Sequence, residues 1–85
     1  MAGRISYLKG NVSFLRAGLT QWSQAALNFT VTTGDRIYTA QNARAELEVG
    51  SYTVRMSYNT DLTITNLTDQ MMQLGLNQGT IRVSV

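Results

Sequence analysis

The chain has 85 residues, which is enough for one small domain. It contains no Cys and no His, which excludes disulfides, thiol nucleophiles, imidazole bases and the usual zinc ligands. Only 14% of the residues are charged and the net charge is +2, so the predicted surface owes its polarity to Ser, Thr, Asn and Gln. The seven cations are spread along the chain, and we expect no nucleic-acid partner unless folding gathers them on one face.

The pattern predicts one β domain over residues 4–85. Residues 1–3 are interpreted as a start added before the native pattern. Alternation continues to the last residue, which predicts that the chain is a fragment of a longer protein. No segment offers the roughly 20 apolar residues that cross a membrane, so we expect no membrane insertion by this fragment.

Apolar and polar residues alternate with a period of two through most of the chain, which predicts strands that each bury one face. In chain order these strands lie at residues 5–7, 12–14, 36–39, 43–49, 52–56, 62–65, 72–76 and 81–85. The structural turns that separate strands include Gly34, Asp35, Gly50, Ser51 and Gly79. The sequence therefore predicts an all-β fold of seven to nine short strands with little or no helix. A compact β-sandwich with hairpins and a β-solenoid-like roll both fit this spacing.

The clearest local prediction is a two-residue hairpin at Gly50-Ser51, where Gly supplies the positive φ of a type II′ turn. Its register places apolar residues on one face and an opposite-charge pair on the other. The predicted pairs are Val49 with Tyr52, Leu47 with Val54, and Glu46 with Arg55.

One segment, Gln21–Phe29, is ambiguous. Its apolar residues have helical spacing, and Thr20 is a possible helix cap. Because nothing else in the chain is helical, we favour a loop with a short strand.

Several of these segments together resemble the FecR-like domain of bacteria. They are residues 34–39, 42–47, 50–56 and 59–62, with Gly10-Asn11-Val12 and Trp22 upstream and residues 76–83 downstream. Two positions depart from the family pattern. Ala40 stands where the family usually has Gly, and Val49 stands where it usually has Asp before the hairpin Gly. Both departures favour a domain of an exported protein over a regulator of a sigma factor.

The resemblance implies a non-catalytic module outside the cytoplasm, in the periplasm, that relays a cell-surface signal by protein contact. The implied partner is an outer-membrane or envelope protein, or another copy of the chain. The alternative is a structural or ligand-binding module, for carbohydrate or cell envelope, of an exported bacterial protein. A third alternative is a small β-barrel that binds single-stranded nucleic acid.

We expect no catalytic residues, no cofactor and no metal site. Glu46 and Glu48 form the one carboxylate pair of interest, but a solvated strand face with Arg55 opposite Glu46 is the favoured interpretation. The acidic turn residues are scattered, so they predict local hydrogen bonds rather than calcium ligands.

The candidate contact residues are aromatic, sulfur-bearing or near the end of the chain. Trp22 is expected in the core, with a partner-anchoring role as the alternative. Met71 is expected to be the exposed member of the Met71-Met72 pair. Strand 80–85 carries little charge and no Pro, which favours an exposed edge that pairs with another chain over a central strand. The full set is Trp22, Tyr38, Met71, Ile81, Arg82, Val83 and Val85.

Overall fold

The computed structural model describes residues 2–85, and these contain ten β-strands and no helix. The strands are β1 (Gly3–Lys9), β2 (Val12–Leu15), β3 (Ser23–Gln24), β4 (Thr30–Val31), β5 (Arg36–Thr39), β6 (Arg44–Val49), β7 (Tyr52–Met56), β8 (Thr60–Leu67), β9 (Met72–Gln78) and β10 (Ile81–Ser84). The all-β prediction is confirmed. The strands outnumber the seven to nine expected because β3 and β4, of two residues each, are too short to show alternation.

The strands form two antiparallel sheets of five. Sheet A has the order β10-β7-β6-β1-β4, and sheet B has the order β3-β2-β5-β8-β9. This is a sandwich and not a solenoid. Segment 21–29 contains only β3 and turns, as favoured over a helix. Of the predicted start at residues 1–3, Met1 lies outside the described residues, and β1 already begins at Gly3.

The β6–β7 hairpin has the predicted register. Val49 pairs with Tyr52, Leu47 with Val54 and Glu46 with Arg55. Gly50 has a φ of 60°, while Ser51 is not among the residues with positive φ, which is the type II′ pattern. Turn chemistry and hydrophobic pattern both favour this register, and that agreement is why it could be predicted.

The core lies between the sheets and consists of the inward-pointing apolar residues of both. Phe14 meets Phe29 edge to face, with ring centroids 5.5 Å apart. The fully buried apolar side chains include Ile5, Val31, Ile37, Leu47, Val54, Leu62 and Ile64.

Three polar side chains are also buried: Asp35, Thr39 and Thr60. The Asp35 carboxylate accepts hydrogen bonds from the Ala17 and Thr32 amides at 2.8 and 2.9 Å, and from Arg16 Nη1 at 2.9 Å. Among residues 2–85, every buried side-chain polar atom has a partner. The cost of removing these groups from water is therefore offset by hydrogen bonds within the fold.

The two sides of the sandwich, where sheet edges face each other, differ in how they are closed. On the β3–β4 side, segment 25–29 crosses from sheet B to sheet A and bonds to both. The Ala25 amide donates to Val12 O, and the Asn28 amide donates to Ile5 O. On the β9–β10 side, the two residues 79–80 between these strands connect the sheets. That second side therefore stays open along the strands.

Candidate functional site

Strand β10 is an edge strand that pairs only with β7. The Ser57 amide donates to Thr80 O at 3.1 Å, just ahead of the strand. Hydrogen-bonded and non-bonded pairs alternate along an antiparallel ladder, so Arg82 and Ser84 occupy the bonded positions facing β7. The amide and carbonyl of Ile81 and of Val83 consequently point to the free side, where a further strand would pair.

The start of β10 is fixed by the buried Thr60. Its Oγ1 accepts from the Thr80 amide at 3.2 Å and lies 3.2 Å from Thr80 O. Gly79, with a φ of 91°, packs so closely that an added Cβ would lie 2.6 Å from Thr60 Cα. The turn thus holds the edge in a defined position before any partner arrives.

The inward face of the two strands on the open side is only partly covered. Val83 is 44% exposed and Leu76 of β9 is 46% exposed, although both point between the sheets. Val85 is 91% exposed. The prediction that each strand buries one face is therefore wrong for β9 and β10. Alternation identifies the apolar face of a strand, but the opposite sheet must still extend over it.

The outer face of sheet A gathers most of the cations. Cross-strand pairing places Arg82 opposite Arg55, Arg55 opposite Glu46, and Lys9 opposite Arg44. Arg4 lies on the same face and pairs with Glu48 at 2.9 Å. The two remaining cations, Arg16 and Arg36, pair with Asp35 and Asp61 instead.

Three cations of this face lack a carboxylate partner. The ion pairs within residues 2–85 do not include Lys9, Arg44 or Arg82. Arg55 Nε lies 3.7 Å from Glu46 Oε2, and Arg55 Nη1 donates to Ser84 Oγ at 3.1 Å. A shallow depression of about 490 Å³ lies among these side chains; its lining includes Arg44, Glu46, Arg55, Ser57, Thr80 and Arg82. The depression adjoins the free edge of β10.

Trp22 lies on the surface, 38% exposed, so the expectation that it belongs to the core is wrong. The Arg36 guanidinium lies 5.4 Å from the centre of its ring. Arg36 also holds Asp61 in a two-point ion pair at 2.9 and 2.6 Å. Trp22 directly precedes the edge strand β3, and its ring lies beside Arg36 on the outer face of sheet B, away from the core.

The hydrogen bond from Arg36 holds the pKa of Asp61 below its ordinary value of 3.8, and Asn77 contributes a further hydrogen bond. The same bond from Asp61 raises the pKa of Arg36. Both side chains therefore stay charged near neutral pH, and they tie β5 to β8. This pair is a structural clamp on the outer face of sheet B.

The predicted contact residues do not form one surface. Ile81, Arg82, Val83 and Val85 lie together at the open side. Tyr38 is half-buried on the outer face of sheet B, opposite Asp61. Met71 is 48% exposed in the turn before β9, while Met72 packs against the core. Met71 is thus the exposed member of its pair, as expected.

Glu46 and Glu48 lie on the outer face of sheet A, each beside an arginine. Within residues 2–85 no group of three or more acidic side chains is placed to hold a metal ion. Likewise, the described part of the chain has no helix long and apolar enough to span a membrane.

Comparison with protein-family models, curated proteins and solved structures gives no match. The resemblance to FecR-like domains accordingly stays a prediction.

Two features of this region were missed from the sequence. The first is the contact between the Thr60 hydroxyl and the backbone of Thr80. Its only signal in the sequence is a Thr at an inward position of β8. The second is the gathering of cations on one face. Arg44, Arg55 and Arg82 all occupy outward positions in their alternating segments, but only the pairing of β10 with β7 brings the third beside the others.

Proposed function

We propose that this chain is a non-catalytic protein-interaction domain, outside the bacterial cytoplasm like the FecR-like domains it resembles. We further propose that it binds its partner by adding a partner strand to the free edge of β10. In this mode main-chain hydrogen bonds supply affinity and alternate side chains supply register.

The observation that carries the proposal is the unpaired edge itself. The backbone groups of Ile81 and Val83 point to the free side, and β10 contains no Pro, no Lys and no bulge that would block a further strand. Exposed apolar area at Val83 and Leu76 supports the same mode, because an added strand would cover it.

The edge can be tested by removing one hydrogen-bond donor. Val83→Pro deletes an amide that faces the free side, so the ladder with β7 is retained. Val83→Thr is the matched control, because it keeps both the amide and a β-branched side chain. Circular dichroism establishes that each variant is folded.

The binding assay selects random displayed peptides on the wild-type protein and measures the enriched ones on both variants. We expect Val83→Thr to bind like wild type and Val83→Pro to bind at least about tenfold more weakly, as loss of a main-chain hydrogen bond implies. Peptides that bind Val83→Pro as tightly, or a library that yields no binder, would contradict the proposal.

The proposal of no catalysis rests on the arginine beside each of Glu46 and Glu48. Each carboxylate faces solvent beside its arginine on an open strand face, without the enclosed surroundings in which acid–base pairs usually work. A hydrolase activity that disappears in the Glu46→Gln, Glu48→Gln double variant would defeat this part of the proposal.

A second candidate is binding of a neutral carbohydrate at Trp22. The favouring observation is that Trp22 lines a shallow, mostly polar depression with Gly10, Asn11, Ser13, Ser23 and Gln24. Aromatic rings and neutral polar side chains are suited to sugars. Because Trp22 is the only Trp, its fluorescence reports on this site. A saturable change in this fluorescence on adding neutral oligosaccharides would favour this candidate. Because Trp22→Phe removes the reporting side chain, calorimetry then measures whether binding is lost in that variant.

A further inference from the structure

One charged row on the outer face of sheet A is incomplete at its β10 end. The row runs from Glu46 to Arg55 to Arg82 across three strands. Glu46 is near Arg55, whereas Arg82 has an arginine on one side and the free edge on the other. Like charges directly opposite each other across strands are unfavourable. The position that could neutralise Arg82 therefore belongs to a strand not supplied by residues 2–85.

The next cross-strand row on this face, in which Lys9 lies opposite Arg44, adds to the positive potential. Arg44 lies on the same face and has no carboxylate partner among the described residues. Together with Arg55 and Arg82, and against the single charge of Glu46, it gives the depression a net charge of +2. Ser57 and Thr80 also line this depression and add hydroxyl groups beside the three arginines, while Ala45, Met56 and Ile81 form its apolar part.

The inward-facing side of the same edge is apolar, in contrast to the basic outer face. Ile81 packs against the core, and Val83 and Leu76 expose apolar area on the inner side of the open sheet edges. A strand added antiparallel to β10 would place alternate side chains over the basic face and over this apolar surface.

We infer that the partner segment is an acidic β-strand in which Asp or Glu alternates with apolar residues, its carboxylate opposite Arg82. This inference rests on the proposed function and names the chemistry of its partner. The apolar residues on either side of that carboxylate cover Ile81 and Val83.

Charge favours such a partner over a second copy of the chain. Each copy carries a net charge of +2, and joining two β10 edges would extend the basic face with another set of the same arginines. Charge also favours it over a nucleic acid. Glu46 and Glu48 lie among the cations and repel phosphates, and Tyr7 is the one aromatic residue at an outward position of β1, β6, β7 and β10.

The test uses three labelled peptides of the form Thr-Val-X-Val-X-Val-Thr, with Glu, Gln or Lys at X, and fluorescence anisotropy on the folded protein. We expect the Glu peptide to bind about fivefold more tightly than the Gln peptide, which is the size of one partly exposed ion pair. The Lys peptide binds most weakly, and the preference for Glu falls as salt is added.

Two variants identify the cation responsible. Arg82→Gln removes the preference for Glu while keeping binding of the Gln peptide. Lys9→Gln makes the same change of charge on the same face, away from the edge, and keeps the preference. Val83→Pro weakens all three peptides.

Equal binding of the Glu and Gln peptides overturns the inference. If Val83→Pro still weakens both, the proposed function stands without it. Binding of none of the peptides also overturns the inference, while the selection with random peptides tests the proposed function separately. Tighter, Arg82-dependent binding of an oligothymidylate of about ten nucleotides overturns it in favour of a nucleic acid.

Discussion

The two sides of this sandwich differ in how the gap between the edges of the two sheets is covered. On the β3–β4 side, segment 25–29 covers the gap between the sheets, and Phe29 packs edge to face on Phe14. On the β9–β10 side, the sheets are joined by one tight turn, and Val83 and Leu76 remain exposed. One side is covered by the chain itself, and the other is not covered by residues 2–85.

The polar contacts near the β3–β4 side also differ from those near the β9–β10 side. On the closed side, Arg16 bridges the Asp35 carboxylate at 2.9 Å and Thr30 O at 2.7 Å, which fixes β4 to the end of β2. On the open side, Arg82 and Arg44 have no carboxylate among the described residues. The described contacts therefore hold β4 to the end of β2 on the closed side, while the cations around the depression beside β10 have no acidic partner except Glu46.

The largest expected effect is the loss of the buried Asp35 carboxylate, which accepts hydrogen bonds from Arg16 and from the Ala17 and Thr32 amides. Asp35→Ala leaves the Ala17 and Thr32 amides without their acceptor and should lower the free energy of unfolding by about 3 kcal/mol. Urea denaturation followed by circular dichroism measures it. The control Asp69→Ala, in an exposed turn, should change stability by less than about 0.5 kcal/mol. Similar effects of the two substitutions would remove the special role given to Asp35.

The difference in burial between the two sides is tested by truncating one large side chain on each side. Phe29→Ala should lower the free energy of unfolding by about 2 kcal/mol, because Phe29 packs on the core. Leu76→Ala should lower it by less than about 1 kcal/mol, since that side chain is nearly half exposed. The same denaturation experiment serves for both. If Leu76→Ala costs as much as Phe29→Ala, the β9–β10 side is not open in solution.

The smallest expected effect is on pH dependence. Because the pKa of Asp61 in the folded protein lies below its ordinary 3.8, this group stabilises the fold at pH values above 3.8. That contribution is lost as the pH falls through the lower, folded value. Asn77 of β9 also bonds to Asp61, so the loss loosens the open side. Denaturation at pH 6 and pH 3 should show a smaller decline for Asp61→Asn than for wild type. An identical decline would contradict the assignment.

Local chemistry made much of the fold predictable. Gly50-Ser51 dictated its hairpin and register, and alternation located the longer strands. Burial was less predictable, because it depends on which residues of the other sheet lie opposite. Val83 alternates as well as Val54, yet only Val54 is fully buried. Trp22 was misplaced for a different reason, because its ring lies beside Arg36 on the outer face of sheet B, a contact between residues far apart in sequence.

The candidate site was predictable only in part. The low charge of strand 80–85 indicated an edge strand. The contact of Thr60 with Thr80 and the charged row that ends in Arg82 depend on pairing between strands far apart in sequence. No local sequence pattern encodes such pairing.

Backbone amide exchange, measured by NMR, shows whether the free side of β10 is unpaired. In a sample shown to be monomeric, we expect the amides of Arg82 and Ser84 to exchange slowly, because they bond to β7. The amide of Val83 should exchange rapidly, and it should become protected when an added strand is bound. A Val83 amide that is as protected as that of Arg82, in the monomer and without a partner, would show that the edge of β10 is not free.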